Sequence, residues 1–151
     1  MGIILIPGVS VQAAKGIFDA IRKELPKGNI LELSAADLPL LEKETSKLKE
    51  KFILIGKSMG GKVALEYQLK HKAASVLVLL APFVEASNRF KDIKTKTLIV
   101  HGTADDVISI DNSRKLQKIM SNCELVVIEG AGHSYRGQEK EVAKAIAKFL
   151  S

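Results

Sequence analysis

A chain of 151 residues suits one domain, because single cores usually span roughly 100–200 residues, and residues 1–151 are read as one α/β unit. Hydrophobic residues at 46% and charged residues at 26% set aside the disordered and membrane-spanning classes. The net charge of +6 is spread over lysines mixed with glutamates, as in Glu42-Lys43-Glu44, and aromatics are sparse, so solvated helix faces are expected rather than a nucleic-acid groove.

The opening run Ile3–Ile6 is apolar but short, lacks a basic leader and breaks at Pro7-Gly8. It reads as a buried strand rather than a signal peptide. Further short runs rich in Ile, Leu and Val follow at Ile30–Leu33, Phe52–Ile55, Val76–Leu80, Thr97–Val100 and Leu125–Ile128. None alternates cleanly with polar residues, as expected for strands buried on both faces. Between them lie helical stripes. Ala14, Ile17, Phe18, Ile21 and Leu25 share one face, and Pro26 and Gly28 end that helix. Leu38, Leu41, Thr45 and Leu48 form a weaker stripe, and Met59, Val63, Ala64 and Tyr67 another. Leu116, Ile119 and Met120 follow Asp111, which is expected to cap their helix. Val142, Ala143, Ile146, Phe149 and Leu150 make the last helix. The interval from Leu80 to Thr97 is expected to be a loop with at most a short helix, too short for a cap. Strand–helix alternation of this kind implies a parallel sheet with helices on both faces.

Cys123 is the single cysteine, so no intramolecular disulfide forms. Placed before an apolar run with no basic neighbour, it is read as a packed or half-buried thiol. No C-x-x-C pair or histidine-rich cluster suggests a metal. With no run of 18 apolar residues, no membrane helix is expected, and a cytoplasmic protein is anticipated.

Phe52-Ile-Leu-Ile-Gly56-Lys57-Ser58-Met59-Gly60-Gly61-Lys62-Val63 carries the chemistry. It reads as strand, G-x-S-x-G, then helix, the context of a nucleophile elbow. A serine that attacks must stand clear at a strand tip, and Gly56 and Gly60 let strand and helix approach without Cβ clashes. The helix beginning at Met59 aims its amides and positive dipole end at developing oxyanion charge. The pentapeptide alone is weak, with roughly 0.05 chance matches in such a chain; its position supplies the rest. A phosphate-binding loop is disfavoured because Lys62 is followed by Val63, not by Ser or Thr.

A serine nucleophile needs a base, and the base needs an orienting acid. His101-Gly-Thr-Ala-Asp105-Asp106-Val-Ile follows the fifth run, and Glu129-Gly-Ala-Gly-His133-Ser-Tyr follows the sixth. Both would lie in loops at the carboxyl ends of strands, on the elbow's edge of the sheet. Asp105 is the expected acid, with Asp106 the neighbouring alternative, and His133 the expected base. His101 is read as a packing or loop-stabilising residue, and His71 as a helix-end cation. Ser10 and Ser134 are read as loop hydroxyls, and Lys57 as a solvated lysine at the cleft rim or a source of positive potential beside the serine.

These segments resemble the α/β-hydrolase superfamily. The elbow aligns on Ser58, the acid loop resembles H-G-x-x-D-x-x-V on Asp105, and the G-x-G-H turn places the base on His133. In size and opening the chain is similar to the compact YdeN-like and retinoblastoma-binding-protein type serine hydrolases. The resemblance implies a three-layer sandwich with a six-stranded parallel sheet ordered 2-1-3-4-5-6 and no cap domain. It further implies an oxyanion hole from the backbone N–H groups of Val9 and Met59. The departures are Pro7-Gly8 in place of the usual His-Gly, and Lys57 before the serine. The expected activity is that of a serine hydrolase, a carboxylesterase on small or extended acyl esters. It would need no cofactor and no metal, take a small-molecule acyl substrate, and engage neither nucleic acid nor membrane. The alternative is a silent binding or scaffold module of the same fold.

Overall fold

The six apolar runs become six parallel strands in the computed structural model, which describes residues 1–151. They are β1 (Gly2–Ile6), β2 (Ile30–Glu32), β3 (Phe52–Lys57), β4 (Val76–Leu80), β5 (Lys96–Gly102) and β6 (Cys123–Ile128). Their order across the sheet is β2-β1-β3-β4-β5-β6, and every pairing is parallel. The register aligns Ile6 with Gly56 and Lys57 with Leu80, so neighbouring strands end nearly level. The connections after β1, β3, β5 and β6 therefore open on one edge.

Parallel strands need crossovers, and the helices supply them. They are α1 (Val11–Glu24), α2 (Leu38–Thr45), α3 (Met59–His71), α4 (Ile110–Ile119) and α5 (Glu139–Leu150). The apolar stripe of α1 and that of α5 pack on one sheet face with Ile3, Leu5, Ile53, Ile55, Val78 and Val100. On the other face Leu41, Val63, Ala64, Leu65 and Leu116 pack on Ile4, Ile6, Leu54, Leu77, Leu79 and Ile99. Each fully buried aliphatic side chain contributes about 1.5–3 kcal/mol relative to exposure. The segment from Leu80 to Lys96 is a loop with a short 3₁₀ turn, Asn88–Asp92, as its length required. No cap covers the carboxyl edge.

Two expectations change. Burial on both faces holds for β1, β3, β4 and β5, but β2 and β6 are edge strands, and Leu31 and Val127 stay exposed at 39% and 38%. Their apolar runs could not reveal which strands lie outermost. Asp111 does not cap α4. Ser109 does, its hydroxyl accepting the Asp111 N–H at 3.2 Å, which leaves Asp111 in the first turn where its charge favours the helix dipole. No helix is long and apolar enough to cross a membrane.

Candidate active site

The elbow is built from two glycines and one strained serine. A Cβ on Gly56 would be driven into the Gly60 carbonyl, and a Cβ on Gly60 into the Ile6 and Pro7 carbonyls. Only glycine lets β3, α3 and the β1–α1 loop meet so closely. Ser58 itself sits at φ 55° and ψ −115°, a conformation that costs a non-glycine residue on the order of 1–3 kcal/mol. Three short backbone bonds hold it there, with a longer fourth from the Lys62 N–H to Ser58 O at 3.4 Å. The Ser58 N–H donates to Leu80 O at 2.9 Å, and the N–H groups of Phe83 and Gly61 donate to Ser58 O, each at 2.9 Å. Ser10, Asp37 and Ser109 spend their side chains capping helices, whereas Ser58 precedes α3 and makes no such bond. Its hydroxyl is thereby left for another partner.

That partner arrives on the loop after β6. The acid loop (Gly102–Ile108) and the histidine loop (Glu129–Gln138) are stitched together. Thr103 N–H donates to Ile128 O at 3.1 Å, Gly130 N–H to Thr103 Oγ1 at 2.7 Å, and Ala104 N–H to Ala131 O at 2.9 Å. Tyr135, at φ 56°, anchors the second loop: its fully buried phenol donates to Val100 O at 2.5 Å. Burial drives that phenol well above its ordinary pKa, so it stays a donor.

His133 Nδ1 lies 2.8 Å from Asp105 Oδ2, and His133 Nε2 lies 3.1 Å from Ser58 Oγ. A carboxylate only accepts, so Nδ1 carries the proton and Nε2 accepts from the serine hydroxyl. Asp105 Oδ1 in turn accepts the N–H groups of Val107 at 2.9 Å and Ile108 at 2.8 Å. Burial alone would raise this carboxyl. The donors from Ile108, His133 and Val107 outweigh it and hold Asp105 below the ordinary 3.8. Asp106 is exposed and makes no side-chain hydrogen bond, so of the two it is Asp105 that meets His133.

The β1–α1 loop lies against the serine, where a Cβ on Gly8 would sit 3.2 Å from Ser58 Cβ. Val9 follows it directly, and its N–H donates to no loop or cap acceptor. Met59 opens α3, where first-turn amides have no helical partner. Apolar side chains ring this edge: Val9 is 89% exposed, Val107 57% and Phe83 45%. A groove of about 270 Å³ is lined by Lys62, Phe83, Val84, Glu85, Ile108 and Asn112, of which Phe83 donates its N–H to the Ser58 carbonyl. Asn112 shapes its wall by donating to Val84 O and accepting the Ala86 N–H at 2.9 Å. Larger hollows of about 530 and 570 Å³ lie elsewhere, along β5, β6 and α5 and between α1 and α5.

One residue takes a place its sequence context did not disclose, and the others lie as expected. Lys57 is not a solvated rim lysine: it is 3% exposed and makes no hydrogen bond or ion pair. Burial pushes its ammonium pKa down, and the nearby Asp105 charge partly opposes that shift. His101 is wholly buried against Ser113 Oγ, Ile108 O and Asp105. The four-residue spacing of His101 and Asp105 across a tight turn was the available signal. Ser10 caps α1, and Ser134 is exposed on the histidine loop. His71 pairs with Glu42 at 2.6 Å at the far end of α3. Cys123 is half-buried, and burial raises its thiol to about 12.

The sequence pattern of the alpha/beta hydrolase family matches residues 18–144. Among solved structures, Est1E from Butyrivibrio proteoclasticus aligns with a TM-score of 0.84 at 17% identity, over 99% of this chain and 86% of that one. A predicted CIB-like hydrolase from Thermoplasma acidophilum aligns at 0.80 with 25% identity, over 99% and 85%. A monoacylglycerol lipase from Paleococcus ferrophilus aligns at 0.77 with 13% identity, over 99% and 93%. No curated protein matches the chain in sequence.

Proposed function

The chain belongs to the alpha/beta hydrolase family, and on that premise we propose that it is a serine hydrolase, a carboxylesterase acting on small or extended acyl esters. One observation carries the reading. A single imidazole, His133, bridges Ser58 Oγ at 3.1 Å and Asp105 Oδ2 at 2.8 Å, joining residues 75 and 28 positions apart in sequence.

In this mechanism His133 Nε2 takes the Ser58 proton as Oγ attacks the ester carbonyl. Asp105 stabilises the imidazolium that forms and keeps its proton on Nδ1. The amides of Val9 and Met59 receive the oxyanion. Imidazolium then gives its proton to the departing alkoxide, leaving an acyl-enzyme on Ser58. Water, deprotonated by His133, attacks that acyl group and releases the acid and the serine. Nucleophile, base and oxyanion donors all come from the chain, so the route requires no cofactor.

The substrate reading rests on the surroundings of Ser58. With no cap, the edge admits a ligand from solvent. The groove of about 270 Å³ presents Phe83, Val84 and Ile108 to an acyl chain, and exposed Val9 and Val107 extend the apolar surface. The ferulic acid complex of Est1E and the Paleococcus ferrophilus monoacylglycerol lipase are similar folds, in keeping with acyl chemistry.

A fluorophosphonate probe and a panel of p-nitrophenyl esters of increasing acyl length test the proposal. The wild type is expected to be labelled and to hydrolyse esters. Ser58→Ala should abolish labelling and lower hydrolysis at least about 10³-fold. Equal labelling of both proteins would reject Ser58 as nucleophile and favour the silent binding module.

A further inference from the structure

Asp105 faces not one histidine but two. His133 Nδ1 reaches Oδ2 at 2.8 Å, and His101 Nε2 lies 3.1 Å from the same oxygen. His101 is the last residue but one of β5, and its side chain is fully buried, as is that of Asp105. The chemistry around its ring fixes its tautomer. Nε2 points at the Ile108 carbonyl at 2.9 Å, with Asp105 Oδ2 as a second acceptor off that axis. Both neighbours only accept, so Nε2 must carry a proton. Nδ1 lies 2.6 Å from Ser113 Oγ, a hydroxyl able to donate to it. Burial disfavours the charged ring, which leaves neutral His101 with Nε2–H and a bare Nδ1.

We propose that His101 is a positioning residue that shares the Asp105 carboxylate with His133 and thereby limits how strongly Asp105 holds the His133 imidazolium. The proposal rests on the serine-hydrolase reading for its kinetic consequence, but its structural half does not. Oδ1 is occupied by the Val107 and Ile108 amides, so Oδ2 is the oxygen that meets both rings: it accepts the His133 Nδ1–H and lies 3.1 Å from the His101 Nε2–H, whose hydrogen bond runs to Ile108 O. Remove the His101 donor, and the whole of the Oδ2 charge falls on His133 Nδ1–H. The imidazolium is then stabilised, and at a given pH less His133 is free to accept the serine proton. The other ionisable groups facing Asp105 are the buried Lys57 ammonium on β3 and the Tyr135 phenol on the histidine loop. Neither is altered by a change at His101, so a shift is assignable to the lost donor.

The experiment has two arms. In the first, ¹⁵N spectra of the imidazoles of the wild-type protein are recorded across pH 6–8. His101 should appear as the neutral Nε2–H tautomer throughout; an Nδ1–H tautomer or an imidazolium overturns the proposal. In the second, the pH profile of kcat/KM for a neutral p-nitrophenyl ester is compared among the wild type, His101→Leu and His101→Gln, with Ser58→Ala as control. His101→Leu should move the acidic limb to higher pH by about half a unit or more. His101→Gln, whose amide can donate where Nε2–H does, should move it back. A drop in kcat with an unmoved limb in both variants means packing alone and overturns the proposal. If His101→Leu does not fold, His101→Met, which also lacks a donor, takes its place in the same comparison with His101→Gln. Activity surviving in Ser58→Ala would defeat the serine-hydrolase reading instead, leaving the tautomer result standing.

Discussion

The two ends of the same sheet obey different rules. Four non-glycine residues have positive φ: Ser58, Lys72, Ala81 and Tyr135. Lys72 lies at the amino-end side of the sheet, where α3 finishes, and its left-handed conformation is an ordinary helix stop. Ser58 and Ala81 directly follow the last residues of β3 and β4, and Tyr135 lies on the histidine loop after β6. The same carboxyl edge also holds the buried, unpaired Lys57, the buried His101 and the exposed Val9, Phe83 and Val107. At the opposite end, charges pair at the surface, as the amino terminus does with Glu50 at 3.4 Å. Departures from local preference gather where a site is built, because only an otherwise well-packed fold can hold them.

Substitutions can break that contrast. The largest expected effect is that of Asp105→Asn on activity. An amide in place of the carboxylate cannot accept His133 Nδ1–H with full charge, and kcat should fall roughly 10³–10⁴-fold. Ester hydrolysis against the wild type measures this. Acid should act on the same residue. The folded-state pKa of Asp105 is depressed from 3.8, so its stabilising contribution is complete above that value and disappears as pH falls through the folded pKa. Urea unfolding from pH 7 down to pH 3 should show stability falling more steeply in the wild type than in Asp105→Asn.

Lys57→Met should have a moderate effect of opposite sign. It replaces a largely buried lysine that has no hydrogen-bond or ion-pair partner and should raise stability by about 1 kcal/mol at pH 7. Because burial lowers the folded-state pKa of Lys57 below 10.5, the unfolded chain holds that proton more tightly. Wild-type stability therefore recovers as pH rises through the folded pKa toward 10.5, and the advantage of the variant should shrink over that interval. Thermal melts at pH 7 and pH 10 give both signs. The smallest change is expected at the ordinary end of the sheet. Lys72→Gly relieves a left-handed Cβ at an exposed helix stop and should stabilise by about 0.5–1 kcal/mol with activity unaltered. A loss of activity there would erase the distinction between the two ends.

By itself the sequence determined the alternation of strands and helices, their order, and the side of the sheet on which Ser58, Asp105 and His133 would stand. Those properties are carried by short-range patterns: apolar runs such as Val76–Leu80, the stripe of α1, and glycines at Gly56 and Gly60 that permit a turn. The family resemblance added the strand order, which the registers match. Tertiary structure alone decided how the patterns meet. Leu31 and Val127 are exposed because their strands lie at the sheet edges, and no run of residues encodes which strand has no neighbour. Asp105 and not Asp106 faces His133 because the Val107 and Ile108 amides turn its carboxylate inward. Lys57 looks like a surface lysine until the fold buries it, and His101 is buried where Ser113 of α4 and Ile108 of the acid loop meet its ring. Burial is a property of what packs from elsewhere in the chain. The electrostatics of this site, and the sharing of one carboxylate oxygen by two imidazoles, follow from that burial.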